Sequence, residues 1–233
     1  MGFSSLTMLY YFILPVVLGY ALIWKVWKKN YDNTLLPNLY LCLVSLIFYW
    51  WGAGIENVMV ILFLVIIHYA LSYLLRLRKS KLAVVLGIGL DCFVLVKYKY
   101  PELILQAING YMTNCATLVD VVFPLGLSFI IFHGISFLVD VYRQPSKGEN
   151  EGFYFIQTAL YLMFFPKITQ GPIMRYCDME PELENRTFDF NGLMAGTERF
   201  ILGLGKKAIL ADTFGAAVSQ IFSATAMDAP TAW

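Results

Sequence analysis

Charge is what this sequence has least of. Only 14% of its 233 residues are Asp, Glu, Lys or Arg, where a soluble domain carries about 25%. The little charge present nearly cancels, to a net +1. That excludes the basic footprint of a nucleic-acid binder and leaves no acidic tail. Histidine occurs twice, at His68 and His133. The four cysteines, Cys42, Cys92, Cys115 and Cys177, form no CxxC and no Cys/His spacing, so neither a disulfide framework nor a metal site is expected. GxSxG, the P-loop, HExxH and GxGxxG are all missing, which removes the common signatures of serine hydrolases, NTPases, zinc proteases and dinucleotide enzymes. No internal repeat and no low-complexity tract is visible.

What is there is apolar. Hydrophobic residues make up 59% of the chain, and the mean hydropathy is +0.64. Gly2 to Trp24 and Thr34 to Ile55 hold no charge, and Asn57 to Leu75 holds only His68. Each window is long enough for a helix across a hydrocarbon core, which takes about 20 residues. Val121 to Val139 is another such window, with His133 inside, and Leu82 to Val96 is a shorter one carrying Asp91. Phe153 to Pro166 is short and reads as a half-span or re-entrant piece. A last helical stretch is expected from about Leu193 to Leu210, loosened by Gly203 and Gly205. In lipid only helices and closed barrels satisfy the backbone. The expected fold is therefore all-α: a polytopic transmembrane helical bundle with short broken or re-entrant helices, residues 1–233 forming one membrane domain.

Lysine and arginine set the expected orientation. Lys25, Lys28 and Lys29 follow the first window, Arg76 to Lys81 the third, and Arg143 and Lys147 the fifth. Alternate loops are basic, which places the N-terminus outside a cell membrane and these loops in the cytoplasm. The first window is not a signal peptide by pattern, because its charge comes after the apolar run. Lys97 and Lys99 depart from the alternation. They sit among tyrosines in "KYKYP", which suits an interfacial belt.

Three ionisable groups fall at membrane depth: His68, Asp91 and His133. Such groups are costly there and are functional candidates by default. A histidine on an apolar helix also serves simply as a hydrogen-bond donor to a neighbouring helix. That is the plainer reading for His68, close in sequence to Tyr69, Ser72 and Tyr73. His133 has richer surroundings in "FPLGLSFIIFHGISFLVDVYRQ", residues 123–144. Pro124 and Gly126 open that span, helical spacing brings Ser128, His133 and Ser136 near one face, and Gly134 permits close approach of another helix. Asp140 and Arg143 are three apart and are expected to pair at the helix end. The second informative stretch is "FFPKITQGPIMRY", residues 164–176. Pro166, Gly171 and Pro172 break the apolar run into a non-helical elbow that carries Lys167, Gln170, Arg175 and Tyr176.

"PLGLSF…F…ISFLVDVYR" followed by "FFPKITQGPIMRYCDM" resembles the membrane-bound O-acyltransferases, most of all the bacterial branch that O-acetylates exopolysaccharides such as alginate. "KYKYP" at 97–101 and "LGKKAILAD" at 204–212 are similar too, so the likeness covers about residues 85–215. It implies tilted and broken helices around a tunnel, with His133, Ser128, Gln170, Arg175 and Tyr176 as tunnel-lining or substrate-facing candidates. It implies transfer of an acetyl group, from a cytoplasmic donor such as acetyl-CoA, to polysaccharide hydroxyls outside. A periplasmic or cell-surface acetyltransferase partner would finish the transfer, and no bound cofactor is implied. The family's catalytic histidine lies in a later apolar segment. Neither His68 nor His133 matches that motif, so no catalytic residue is assigned in this chain. The resemblance makes it the N-terminal portion of a longer fold, inactive alone. D-alanyl transfer to teichoic acid by the same family, and a non-enzymatic scaffold or transporter half, are the competing readings.

Overall fold

The computed structural model describes residues 7–31, 33–101, 124–143, 151–168 and 171–222. All regular structure among them is helical, with no strand. In chain order a π-helical turn, Met8–Ile13, leads into α1 (Leu14–Asn30). Then come α2 (Leu35–Leu77), α3 (Lys81–Lys99), α4 (Leu127–Arg143), α5 (Glu151–Met163) and the short α6 (Phe165–Ile168). After the elbow follow α7 (Tyr176–Glu184), α8 (Phe190–Lys206), a π-helical turn Lys207–Ala211, and α9 (Asp212–Phe222).

Among the described residues two helices are long and apolar enough to cross a membrane, Met8–Trp27 and Leu35–Leu77. The second runs 43 residues, about twice what a hydrocarbon core needs. It is broken at Gly54, whose φ of 81° and ψ of 172° lie outside the helix. Only glycine adopts that conformation readily. The Asn57 amide donates to the Ala53 carbonyl that the break exposes. The two charge-free windows expected around this point are thus the two arms of one kinked element.

The chain divides into two compact units. The larger, Leu22–Arg186, holds α2 to α7. α2 buries Asn38, Ser45, Asn57, His68 and Ser72 among its apolar core residues, while Ile47, Trp50, Met59, Phe63 and Ile66 are more than half exposed. Large apolar side chains outside and polar groups in the core suit a chain whose solvent is hydrocarbon. α2 packs on α5, and α3 on α4. Gly87 makes the latter contact close, because a Cβ there would come within 2.5 Å of Leu138. α7 closes the unit. It buries Tyr176, Met179 and Leu183, spaced one helical face apart. The Leu183 carbonyl at its end accepts from Thr34 Oγ1 at 2.6 Å and Asn38 Nδ2 at 2.9 Å, and Arg186 donates to Asn38 Oδ1 at 3.0 Å.

The smaller unit comprises Met1–Ala21 with Thr187–Trp233. Asp189 caps α8 by accepting from the Gly192 N–H at 2.8 Å. The cap starts α8 a few residues before the expected stretch. Gly203 does not end it, and the π-helical turn after Lys206 carries the chain into α9. The expected span Val121–Val139 also shifts. Pro124 to Gly126 form a turn, with Leu127 N–H donating to Pro124 O at 3.2 Å, and α4 continues to Arg143. Residues 121–123 and Cys115 lie outside the described residues.

Candidate functional site: a buried polar cluster behind the elbow

The two motifs that carry the resemblance are physically interlocked. Gly126 has φ 71°, and a Cβ there would meet Ile168 Cγ2 at 2.0 Å and Ile168 O at 2.9 Å. The turn opening α4 is therefore seated against the short helix of the elbow. Gly171 is pressed onto Lys167 in the same way, its virtual Cβ lying 2.4 Å from Lys167 Cα. Three hydrogen bonds fix the elbow further. Phe165 N–H donates to Ser45 Oγ at 3.3 Å, the Tyr161 hydroxyl to Met174 O at 2.7 Å, and Tyr176 N–H to Asp140 Oδ2 at 3.0 Å. Pro166 and Pro172 are exposed on its outside.

The contact of Asp140 corrects an expectation. It was to pair with Arg143, yet no ion pair joins them among the described residues. Arg143 is exposed, and Asp140 reaches across to the first backbone N–H of α7 instead. A carboxylate at a helix N-terminus satisfies an orphan donor and the helix dipole together.

Tyr161 is the hub behind the elbow. Its ring lies 5.6 Å from that of His133, 5.2 Å from that of Tyr176 and 5.9 Å from that of Phe137. The Lys167 ammonium sits 3.9 Å above it. Tyr161, Tyr176, His133 and Lys167 are all at most 5% exposed. His133 Nδ1 is 2.6 Å from the Phe129 carbonyl. A carbonyl only accepts, so Nδ1 carries the proton and a neutral ring keeps its lone pair on Nε2. That Nε2 is buried without a partner, as are both ends of the Gln157 amide, among the described residues. Gln157 precedes Tyr161 by one turn on α5. Sequence reading missed Gln157, Tyr161 and Lys167 as a group. The signal was present, since "YFIQTALY" at 154–161 sets Tyr154, Gln157, Thr158 and Tyr161 on one helical face.

Of the expected site residues, the structure brings His133 and Tyr176 into this cluster. Ser128 is half-buried on α4, and Arg175 is exposed where α7 begins. Gln170 lies outside the described residues. Cys177 is exposed beside Arg175. Partial burial and the nearby Asp140 and Asp178 carboxylates push its thiol upward, so it is no activated nucleophile. Among the described residues no cluster of three metal-ligating groups exists.

A second polar pair lies elsewhere. His68 Nδ1 is 2.8 Å from the Leu64 carbonyl, and Nε2 is 3.1 Å from Asp91 Oδ2. Both side chains are at most 1% exposed. His68 thus bonds a neighbouring helix, as its plainer reading expects. A Cβ on Gly134 would lie 2.2 Å from His68 Nε2, so α2, α3 and α4 meet at this point because Gly134 has no side chain.

Comparison with known proteins agrees with the motif-level likeness. The chain is 29% identical over its full length to the probable alginate O-acetylase AlgI of Pseudomonas putida, covering 47% of that protein. It is 28% identical to its counterpart in Pseudomonas aeruginosa, covering 44%. The chain is thus similar along its whole length to alginate O-acetylases. It is also 25% identical to a peptidoglycan O-acetyltransferase of Helicobacter pylori over 85% of the chain and 42% of that protein. The chain therefore spans less than half the length of these relatives. No family model matches it.

Proposed function

We infer that this chain is the membrane-embedded, donor-conducting portion of an O-acetyltransferase that acts on polysaccharide hydroxyls. The observation that carries this reading is the buried cluster of His133, Gln157, Tyr161 and Lys167 behind an interlocked elbow, in helices whose outer faces are apolar. Irregular backbone and polar side chains at membrane depth are tolerated where they line a path for a polar ligand. The activities for which these relatives are named, O-acetylation of alginate and of peptidoglycan, favour an acetyl group over D-alanine and a glycan over teichoic acid. The donor is a cytoplasmic acetyl thioester such as acetyl-CoA. It enters past Arg175, whose exposed guanidinium suits a phosphate group. A periplasmic or cell-surface acetyltransferase completes the transfer onto the polymer. The direct test is polymer acetylation by a longer protein containing this chain, in a host deleted for its own O-acetylase. Arg175→Ala should lower the rate by at least about tenfold, or about 1.4 kcal/mol, and Arg175→Lys should recover only part. Wild-type acetylation by both variants at normal protein levels would remove Arg175 from donor binding. No polymer acetylation by the unaltered protein would sink the function.

The proposed topology is multi-pass in the cell membrane with the N-terminus outside. α1, the two arms of α2, α3 and α4 cross, and α5 with α6 enters partway. The break at Gly54 is then the outer turn and the basic residues 76–81 are cytoplasmic. A cysteine at Glu56 should be labelled by an impermeant thiol reagent on intact cells, and one at Lys79 should not. The reverse labelling would invert the chain.

A further inference from the structure

Arg175 is exposed at its tip and fixed at its root. Its side chain stands in the open, yet its backbone is held from both sides by side chains of two other helices. The peptide group before its Cα carries the Met174 carbonyl, which accepts from the buried Tyr161 hydroxyl of α5 at 2.7 Å. The peptide group after its Cα carries the Tyr176 N–H, which donates to Asp140 Oδ2 of α4 at 3.0 Å. A residue's soft backbone angles are only the φ and ψ that link its two peptide groups. Holding both groups holds Arg175 at φ −73° and ψ 152°, so its Cα–Cβ bond points one way. Residues 171–175 belong to no helix, and Pro172, Ile173 and Met174 are exposed. No buried side chain of these three anchors the approach to Arg175, and the Tyr161 bond holds it instead. Just beyond, the Tyr176 ring is set edge-on against Phe137 at 4.8 Å and Tyr161 at 5.2 Å. A charge that only has to reach headgroups or water needs no such fixing, because a long side chain snorkels from any root. A planar guanidinium that must meet one partner in one geometry gains from it, since backbone ordered beforehand costs nothing on binding.

We propose that Tyr161 and Asp140 are positioning residues that aim Arg175 at a phosphate group of the acetyl donor. Neither touches the donor. Each holds one of the two peptide groups from which the guanidinium is projected. The inference rests on the reading of Arg175 as the donor's phosphate contact and deepens it. It also gives a reason for the partner that Asp140 takes: the carboxylate is spent on the backbone beside Arg175 rather than on Arg143, three residues along its own helix.

The test uses a longer protein containing this chain, purified in detergent, with acetyl-CoA as the probe. Tryptic cleavage after Arg175, identified by mass spectrometry, reads the backbone, and calorimetric titration reads the affinity. Tyr161→Phe removes only the hydroxyl. It should speed the cut by at least about tenfold, since cleavage follows the opened population, and weaken acetyl-CoA binding by about three- to tenfold. Asp140→Ala should do the same. Asp140→Asn, whose amide oxygen still accepts from the Tyr176 N–H, should restore most of both. In an Arg175→Ala background neither Tyr161→Phe nor Asp140→Ala should weaken binding further. Tyr73→Phe, exposed on α2, should change neither readout. If Asp140→Ala does not fold, Tyr161→Phe carries the comparison. Unchanged cleavage or unchanged affinity in Tyr161→Phe would overturn the proposal. So would equal weakening by Tyr161→Phe with and without Arg175, the mark of a merely structural role. Full affinity in Arg175→Ala would sink the donor reading and the proposal with it. Weak binding by Arg175→Ala beside full affinity in Tyr161→Phe would sink the positioning role alone.

Discussion

Asp91→Ala should destabilise the larger unit more than any other single truncation of a polar side chain, by about 3–5 kcal/mol, the cost of stranding one member of a buried pair. The reason lies in the proton inventory of His68. Its Nδ1–H is committed to the Leu64 carbonyl. The 3.1 Å contact between Nε2 and Asp91 Oδ2 therefore needs one more proton, either on the ring or on the carboxyl. Truncating Asp91 leaves Nε2 facing the backbone of Gly134 with no partner. Asp91→Asn should keep most of the stability that Asp91→Ala loses, because an asparagine N–H can donate to Nε2. The double variant His68→Leu with Asp91→Leu should be milder than the sum of the single changes, because it removes both polar groups together. Unfolding of the detergent-solubilised chain, followed by circular dichroism, reads every variant. Additive losses would mean that the pair is not coupled.

Gly126→Ala should unlatch the elbow. The substitution forces a side chain into a φ of 71° and places its Cβ 2.0 Å from Ile168 Cγ2 and 2.9 Å from Ile168 O. Strain and overpacking together make a loss of about 2–5 kcal/mol. The methyl of Ile168 can move aside and its carbonyl cannot. Ile168→Ala in the Gly126→Ala background should therefore rescue only part of the loss. Limited proteolysis between residues 164 and 176, with the thermal midpoint, measures the release of the elbow. Gly196→Ala is the control, since a Cβ there meets nothing within 4 Å. It should stabilise α8 by up to about 1 kcal/mol. An uncut elbow in Gly126→Ala, at an unchanged midpoint, would show that the two motifs do not depend on each other.

The resemblance was legible because it rests on contiguous residues. "PLGLS" and "FFPKITQGPIM" could be recognised without knowing that they touch. The helices were legible for a similar reason. Long charge-free windows mark where apolar helices run, because a segment with few polar side chains must satisfy its backbone groups internally. Their ends were less so. Asp189 starts α8 before its apolar pattern does, and the turn at Pro124 to Gly126 delays α4, since caps and turns are set by single residues that hydropathy does not register.

Partners across the bundle are another matter. Sequence spacing offered Asp140 to Arg143, three residues along one helix, yet the structure gives Asp140 to the N–H of Tyr176. Sequence marked His68, Asp91 and His133 equally as ionisable groups at depth. Only the packing of α2, α3 and α4 around Gly134 joined the first two and left His133 facing Tyr161. Lys167 and Arg175 stand in the same elbow and carry the same charge. The fold buries one against an aromatic ring and leaves the other in the open. By itself, then, the sequence determined the apolar helices, the elbow and the likeness to O-acetylases, all properties of local pattern. The tertiary structure decided which polar groups are paired and which are left waiting, because that depends on how each helix is rotated against its neighbours and on where a glycine lets two backbones meet.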